Sequence, residues 1–368
     1  MEFTLSEEQE ELVSIVRELL AGESGAGVAR KAWASSSGYD ESLWQTMCGE
    51  IGVASLAIPE EYGGAGFTYF ETHLVVEELG RALTTSPFFG SAVMSAQAIL
   101  SMASHEEALR LLPDIASGSS IAALAWATVE GRWDPTSIDV TANEGGGTWS
   151  VTGHVPLVLF GAQANILLTF AHTPSGLGLF EVPTEGVSIR ESSAMDSTLR
   201  FATVRFENNS ANLLGLVNDE QLRNLWALAA TGMSALQMGG AAKCLEMTVE
   251  YSQQRVQFGR TIGSFQALKH RMAEMYVDVE TATTASRAAG LALTGGQKDA
   301  VEVARLAKIW CSDAFSSVAG QMIQLHGGIA ITWEHDAHLF FKRAHATSQL
   351  LGSPRELRAG VASALSLV

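Results

Sequence analysis

Apolar residues in the first part of the chain recur at helical spacing, with Leu12, Ile15, Val16, Leu19 and Leu20 on one face. Ser6 and Gln9 precede that run as a capping-box pair, each side chain able to satisfy one orphan amide of the first turn. Similar patterns over 41–50, 70–83 and 106–112 predict further helices. Between them, Ile58-Pro59-Glu60-Glu61-Tyr62-Gly63-Gly64-Ala65-Gly66 reads as a loop, because proline and glycine interrupt any period. No strand followed by GxGxxG surrounds these glycines, so a turn is the reading rather than a phosphate cradle. From about Ser120 to Asn212 the texture changes to short strands. Gly145-Gly146-Gly147 turns into the alternating run Thr148-Trp149-Ser150-Val151-Thr152, and 166–170, 177–180 and 201–206 are strand-like runs between turn residues. Helical spacing returns at Asp219 and Glu220, whose carboxylates suit a helix N-terminus. It runs to about Gln254, resumes over 265–293, breaks at Gly295-Gly296 and continues over 298–325. Ser353-Pro354-Arg355-Glu356 starts a last helix, with proline in the first turn and glutamate in capping-box position. Helices, then strands, then helices predict an α+β chain. Its parts are an N-terminal helical domain over 1–118, a middle β-barrel or sandwich domain over 119–213, and a C-terminal four-helix bundle over 214–368.

Length and composition narrow the function. At 368 residues with 47% hydrophobic residues, the chain is long enough for two or three well-buried units. A formal net charge of −17 argues against a nucleic-acid or anionic-membrane surface, either of which needs clustered lysine and arginine. A local basic pocket for a phosphate is compatible with that balance. Cys48, Cys244 and Cys311 are far apart and odd in number, without zinc-site spacing, which fits a reducing compartment. The N-terminal residues lack a basic n-region and an apolar h-region, and no uncharged apolar run reaches the ~18 residues of a membrane span. A cytoplasmic location is expected.

The chemistry concentrates in Gln254-Arg255-Val256-Gln257-Phe258-Gly259-Arg260-Thr261, continued by Ser264-Phe265-Gln266-Ala267. Fifty-eight residues after Gln266 comes Gln324-Leu325-His326-Gly327-Gly328. An arginine fork matches a diphosphate bidentately, and paired glycines let backbone approach a ligand closely. Together these segments resemble the FAD-binding signature of the acyl-CoA dehydrogenases. The resemblance extends over nearly the whole chain, the Pro59-Glu60-Glu61-Tyr62-Gly63-Gly64 loop included. It implies FAD as cofactor, with Arg255 on the pyrophosphate and Gln257 and Phe258 beside it. Gln266, Gln324, Gly327 and Gly328 complete the contact, which the family makes to the FAD of a neighbouring subunit. The bland alternative is that Arg255 ends a helix, where a cation suits the dipole.

The subunit's own half of a flavin site looks degraded by the same comparison. Ala127-Thr128-Val129-Glu130-Gly131-Arg132-Trp133-Asp134-Pro135 lacks the Gly-Ser-Asp of the family's flavin loop. Leu157 and Leu159 fall where the family's strand carries Trp and Thr. Leucine donates no hydrogen bond, and losing a donor in a dry site forfeits about 1 kcal/mol.

A catalytic carboxylate is also missing from both family positions. In the first, a Glu-Gly-Thr-x-Gln segment, the nearest match is His345-Ala346-Thr347-Ser348-Gln349, with His345 in the place of Glu. Counting back from Arg255 for the second lands near Ala229, roughly 39 Å away along a helix. No acid lies between Gln221 and Cys244 there. Glu246 and Glu250, spaced i, i+4, read as a solvated face. His345 is either an atypical base or one polar residue in a segment rich in His335, His338, Lys342 and Arg343. A metal site at His326, His335 and His338 is not expected, since flavin oxidation needs none.

The segment Gly327-Gly328-Ile329-Ala330-Ile331-Thr332-Trp333-Glu334-His335-Asp336 resembles an actinobacterial branch of the family that includes enzymes of steroid side-chain CoA thioesters. Several of these are α2β2 heterotetramers in which one subunit holds the base and the other completes the FAD site. The resemblance therefore implies a homologous partner subunit, an acyl-CoA substrate and electron-transfer flavoprotein as acceptor. Two alternatives stay open: a self-sufficient homotetramer using His345, and a flavin-free CoA-thioester-binding scaffold.

Overall fold

The computed structural model describes residues 4–23 and 26–364; Met1–Phe3, on which the absence of a signal peptide is partly read, lie outside them. Among the described residues no helix is long and apolar enough to cross a membrane. Contacts divide the chain into two compact units, one of residues 1–29, 73–84 and 230–368, the other of 30–72 and 85–229.

The helices before the sheet are α1 (Glu7–Glu23), α2 (Ala26–Ala34), α3 (Glu41–Gln45), α4 (Tyr69–Arg81), α5 (Ala96–Met102) and α6 (His105–Ala116). Ser6 and Gln9 cap α1 reciprocally at 3.2 and 3.1 Å, as their spacing predicts. In the second unit Asp40 caps α3 through Leu43 N at 3.0 Å, and Ser104 caps α6 through Glu107 N. Of two π-helical stretches, Thr46–Ile51 interrupts the helix predicted over 41–50, and Phe89–Ser95 falls where no helix is predicted. The second sets Ser91 Oγ against Ala122 N at 3.1 Å and so docks on the sheet.

Seven strands follow: β1 (Ala122–Ala125), β2 (Val140–Gly145), β3 (Thr148–Leu159), β4 (Ile166–Thr173), β5 (Gly176–Val182), β6 (Ser188–Ser192) and β7 (Phe201–Val217). Their order is β1-β4-β2-β3-β7-β5, and β5 also pairs with β4, so the sheet closes on itself and leaves few open edges. β1 and β4 run parallel, while β3, β5 and β6 meet β7 antiparallel. Gly146 and Gly147, at φ +63° and +83°, make the tight β2–β3 turn.

The first unit is built on α7 (Asp219–Gln254) from Ala230 onward, α8 (Gln266–Thr294), α9 (Ala300–His326), α10 (Ala337–Gln349) and α11 (Pro354–Ala364). Glycine permits its closest crossing. A Cβ on Gly239 would stand 1.9 Å from Glu77 O, and one on Gly80 would stand 2.1 Å from Leu236 O, so α4 and α7 meet backbone to backbone. Two arginine-glutamate pairs tie this unit together: Arg17 forks onto Glu78 at 2.6 and 2.9 Å, and Arg287 onto Glu77 at 2.9 Å.

Candidate functional site: a dinucleotide handle at the end of the helical bundle

α7 ends at Gln254 and the chain turns at once into a hairpin, β8 (Val256–Gln257) paired with β9 (Arg260–Thr261). Arg255 N still bonds Tyr251 O at 2.9 Å, and Ile262 N closes the hairpin on Arg255 O at 2.8 Å. Phe258 and Gly259 at its tip have φ +54° and +77°, the paired positive angles of a type I′ turn. Glycine suits its place, but a bulky side chain in that region is strained by roughly 1–2 kcal/mol. The Phe258 ring is also 91% exposed. Strain and exposure in one residue make Phe258 a candidate for a binding role.

α9 ends nearby at His326, and Gly327 follows at φ +67°, ψ −147°, a conformation essentially restricted to glycine. Tyr251 stacks on His326 with ring centroids 4.4 Å apart. That stack joins the two halves of the handle, since Arg255 lies one turn beyond Tyr251 and Gly327 directly after His326. Arg255, Gln257, Phe258, Gln266, Gln324, Gly327 and Gly328 are all exposed, and all belong to the first unit. Gln266 opens α8, its amide nitrogen 2.7 Å from His270 Nε2. Arg260 lies over the Phe265 ring at 4.0 Å.

This surface fits a dinucleotide. Nothing stands within 4 Å of where a Cβ on Gly259, Gly327 or Gly328 would be, so bare backbone faces open space at three points. From Tyr251 to Ala273 the sequence carries Arg255, Arg260, Lys269 and Arg271 and no acid, within a chain of net charge −17. A local positive field of that kind suits a diphosphate.

His345 is placed differently from these residues. It lies inside α10, half-buried, its ring edge-on to Phe341 at 4.3 Å. The turn that leaves α10 comes later, where Leu351 (φ +61°) and Gly352 (φ +100°) precede Ser353. Leu351 is 1% exposed in that turn. Glu356 engages Ser353 N and Oγ at 2.9 and 2.8 Å in the capping box the sequence predicts. No acid occurs from Phe340 to Arg355. Ala229, at the other candidate position, is fully buried.

The loop after β1, in the other unit, is closed on itself. Thr128 N donates to Arg132 O and Gly131 N to Thr128 O, both at 2.8 Å. Arg132 N donates to Thr128 Oγ1 at 3.2 Å and Val129 N to Asp139 Oδ2 at 3.3 Å. Trp126 and Trp133 meet edge to face at 5.6 Å, both buried. The loop rests on Leu157, which takes φ +57° in a bulge of β3. A Cβ on Gly131 would stand 3.4 Å from Leu157 Cδ1. Leu159 is buried as well, its carbonyl 3.2 Å from where Gly90 would carry a Cβ. The sequence shows the leucines; only the structure shows that the loop's amides are engaged.

With a helical, strand and helical order, a closed middle sheet and an arginine-glycine dinucleotide handle, the class is that of a flavin-dependent dehydrogenase. Residues 6–119 match the acyl-CoA dehydrogenase N-terminal domain and residues 225–365 the acyl-CoA dehydrogenase C-terminal domain. The chain is 39% identical to the acyl-CoA dehydrogenase IpdE2 of Mycobacterium tuberculosis over 354 residues, 96% of each protein. Among solved structures, it is similar to the ChsE4-ChsE5 complex of Mycobacterium tuberculosis, with TM-score 0.91, 26% identity and full coverage of both chains. It is also similar to a variant of the steroid acyl-CoA dehydrogenase Tcur3481-Tcur3483, with TM-score 0.89, 28% identity and 99% of each chain covered. The chain belongs to the acyl-CoA dehydrogenase family of oxidoreductases, whose cofactor is FAD.

Proposed function

We propose that this chain is the non-base subunit of an α2β2 acyl-CoA dehydrogenase that oxidises a steroid side-chain CoA thioester. Its handle, Arg255 with Gln257, Phe258, Gln266, Gln324, Gly327 and Gly328, holds the FAD seated mainly in a homologous partner. FAD supplies the hydride acceptor for the β-hydrogen, and the partner supplies the carboxylate that removes the α-proton. This chain's part is to bind and orient: the arginine fork neutralises the diphosphate, the glycines admit it, and Phe258 covers it. Electron-transfer flavoprotein is the expected acceptor.

The closed loop after β1 carries this reading. Amides of Thr128, Val129, Gly131 and Arg132 that could meet a flavin edge are bonded within the protein, and two leucines stand where donors are expected. The lack of an acid from Phe340 to Arg355 supports it, as do relatives that are a two-protein complex and a steroid enzyme.

Expression of the chain alone and with the neighbouring homologous gene product tests it. Little FAD and no acyl-CoA-dependent bleaching alone, with about half a FAD per chain and bleaching by steroid side-chain thioesters on co-expression, is the expected result. One FAD per chain with turnover by the chain alone would refute it.

A further inference from the structure

Three aromatic rings cluster where α9 runs into the Gly327-Gly328 turn, and their arrangement goes beyond holding the backbone. His326 is 4% exposed. Its Nδ1 lies 2.8 Å from Met322 O, and a carbonyl oxygen only accepts, so the neutral ring carries its hydrogen on Nδ1. Nε2 then presents a buried lone pair without a hydrogen-bond partner. His335 is set the opposite way, because Ala337 N donates to its Nδ1 at 3.1 Å and leaves the ring hydrogen on Nε2. The two imidazoles are 4.7 Å apart, tilted by 58°. Tyr251 stacks on one at 4.4 Å and meets the other edge-on at 6.5 Å. Burial, and after it the charge His335 would carry, hold His326 below the usual histidine range. Tyr251 from α7 and His335 from the loop before α10 are the titratable groups that face it; Met322 on α9 offers only its carbonyl.

We propose that His326 and His335 form a proton-uptake device for the cofactor handle, in which a diphosphate bound over Gly327-Gly328 draws one proton into the pair. This rests on the reading of Gly327-Gly328 as the dinucleotide cradle. The bound anion favours an imidazolium beneath it, and the incoming proton converts the partnerless Nε2 lone pair of His326 into an N–H. Two imidazolium ions this close repel, so the pair takes one proton rather than two. An opposite charge close by favours the charged imidazolium. FAD is therefore held more tightly at pH 6 than at pH 8.

The test is calorimetry of FAD binding to the FAD-stripped complex at pH 7, in two buffers of different ionisation enthalpy. Wild type should take up a clear fraction of a proton per FAD. His326→Asn, whose amide nitrogen can keep the bond to Met322 O, should take up almost none; His326→Gln is the second variant if the first fails to fold. Zero uptake in wild type, or full uptake in both variants, overturns the inference. Arg255→Ala separates it from the reading beneath. If Arg255→Ala binds FAD as wild type does, the handle itself is wrong and the inference falls with it. If Arg255→Ala loses FAD while uptake persists in both histidine variants, only the inference falls.

Discussion

Phe258→Asn should make the isolated chain more stable and the assembled enzyme poorer in FAD, because folding and binding ask opposite things of this residue. At φ +54° on a hairpin tip, Phe258 occupies a conformation that asparagine adopts readily. Relief of a strain of roughly 1–2 kcal/mol, discounted for adjustment of the turn, leaves a gain of about 0.5–1 kcal/mol. Little apolar contact is given up within the chain, since the ring is 91% exposed and meets Phe265 edge-on at 6.2 Å. In the assembly the ring has ~150–250 Å² to bury, worth about 4–5 kcal/mol at full burial. If half of that is realised, the loss is about 2 kcal/mol, or roughly 30-fold in FAD affinity. Urea unfolding of the chain alone followed by circular dichroism reads the first quantity, and flavin fluorescence during titration of the stripped complex reads the second. A variant chain destabilised by more than about 1 kcal/mol, or a complex whose FAD affinity stays within twofold, would refute the argument.

Lys308 is wholly buried, its Nζ donating to Ser312 Oγ at 2.8 Å and Thr347 O at 3.2 Å, and burial pushes it down to about 7. The unfolded chain keeps that proton up to ~10.4, so stability contributed here is full above that value and is lost as pH falls toward 7. Unfolding free energy should rise by up to about 2.5 kcal/mol more between pH 7 and 9 in wild type than in Lys308→Met, and equal urea-midpoint slopes would defeat the claim. Gly239→Ala forces a Cβ to 1.9 Å from Glu77 O and should cost about 3 kcal/mol or prevent folding. A urea midpoint unchanged from wild type would show that the α4–α7 crossing gives way easily. His345→Gln should leave turnover of the complex within twofold, as its ring packs on Phe341 inside α10; a hundredfold loss of kcat would restore His345 as the base.

Some of this molecule is written locally, and that part was legible. The Ser6–Gln9 and Ser353–Glu356 boxes form as their spacing predicts because a cap is decided within four residues. Long helices over α7, α8 and α9 follow the apolar period to within a few residues. β1 escaped, since Ala122-Ala123-Leu124-Ala125 is buried on every side and shows no alternation. The π-helical turns escaped as well, because one residue added to a helix leaves the composition unchanged.

By itself, then, the sequence determined the order of helices and strands, the segments that resemble the family's FAD signature and the absence of any acid from Phe340 to Arg355, all properties of short segments. Tertiary structure decided which distant groups meet. It brought Tyr251 onto His326 from seventy-five residues away, fixed opposite tautomers in two neighbouring histidines through backbone contacts, and engaged the amides of the loop after β1. It also set His345 in a helix and Leu351 in the turn beyond. Hydrogen-bond partners and burial belong to pairs of residues rather than to either alone, so no reading of one segment contains them.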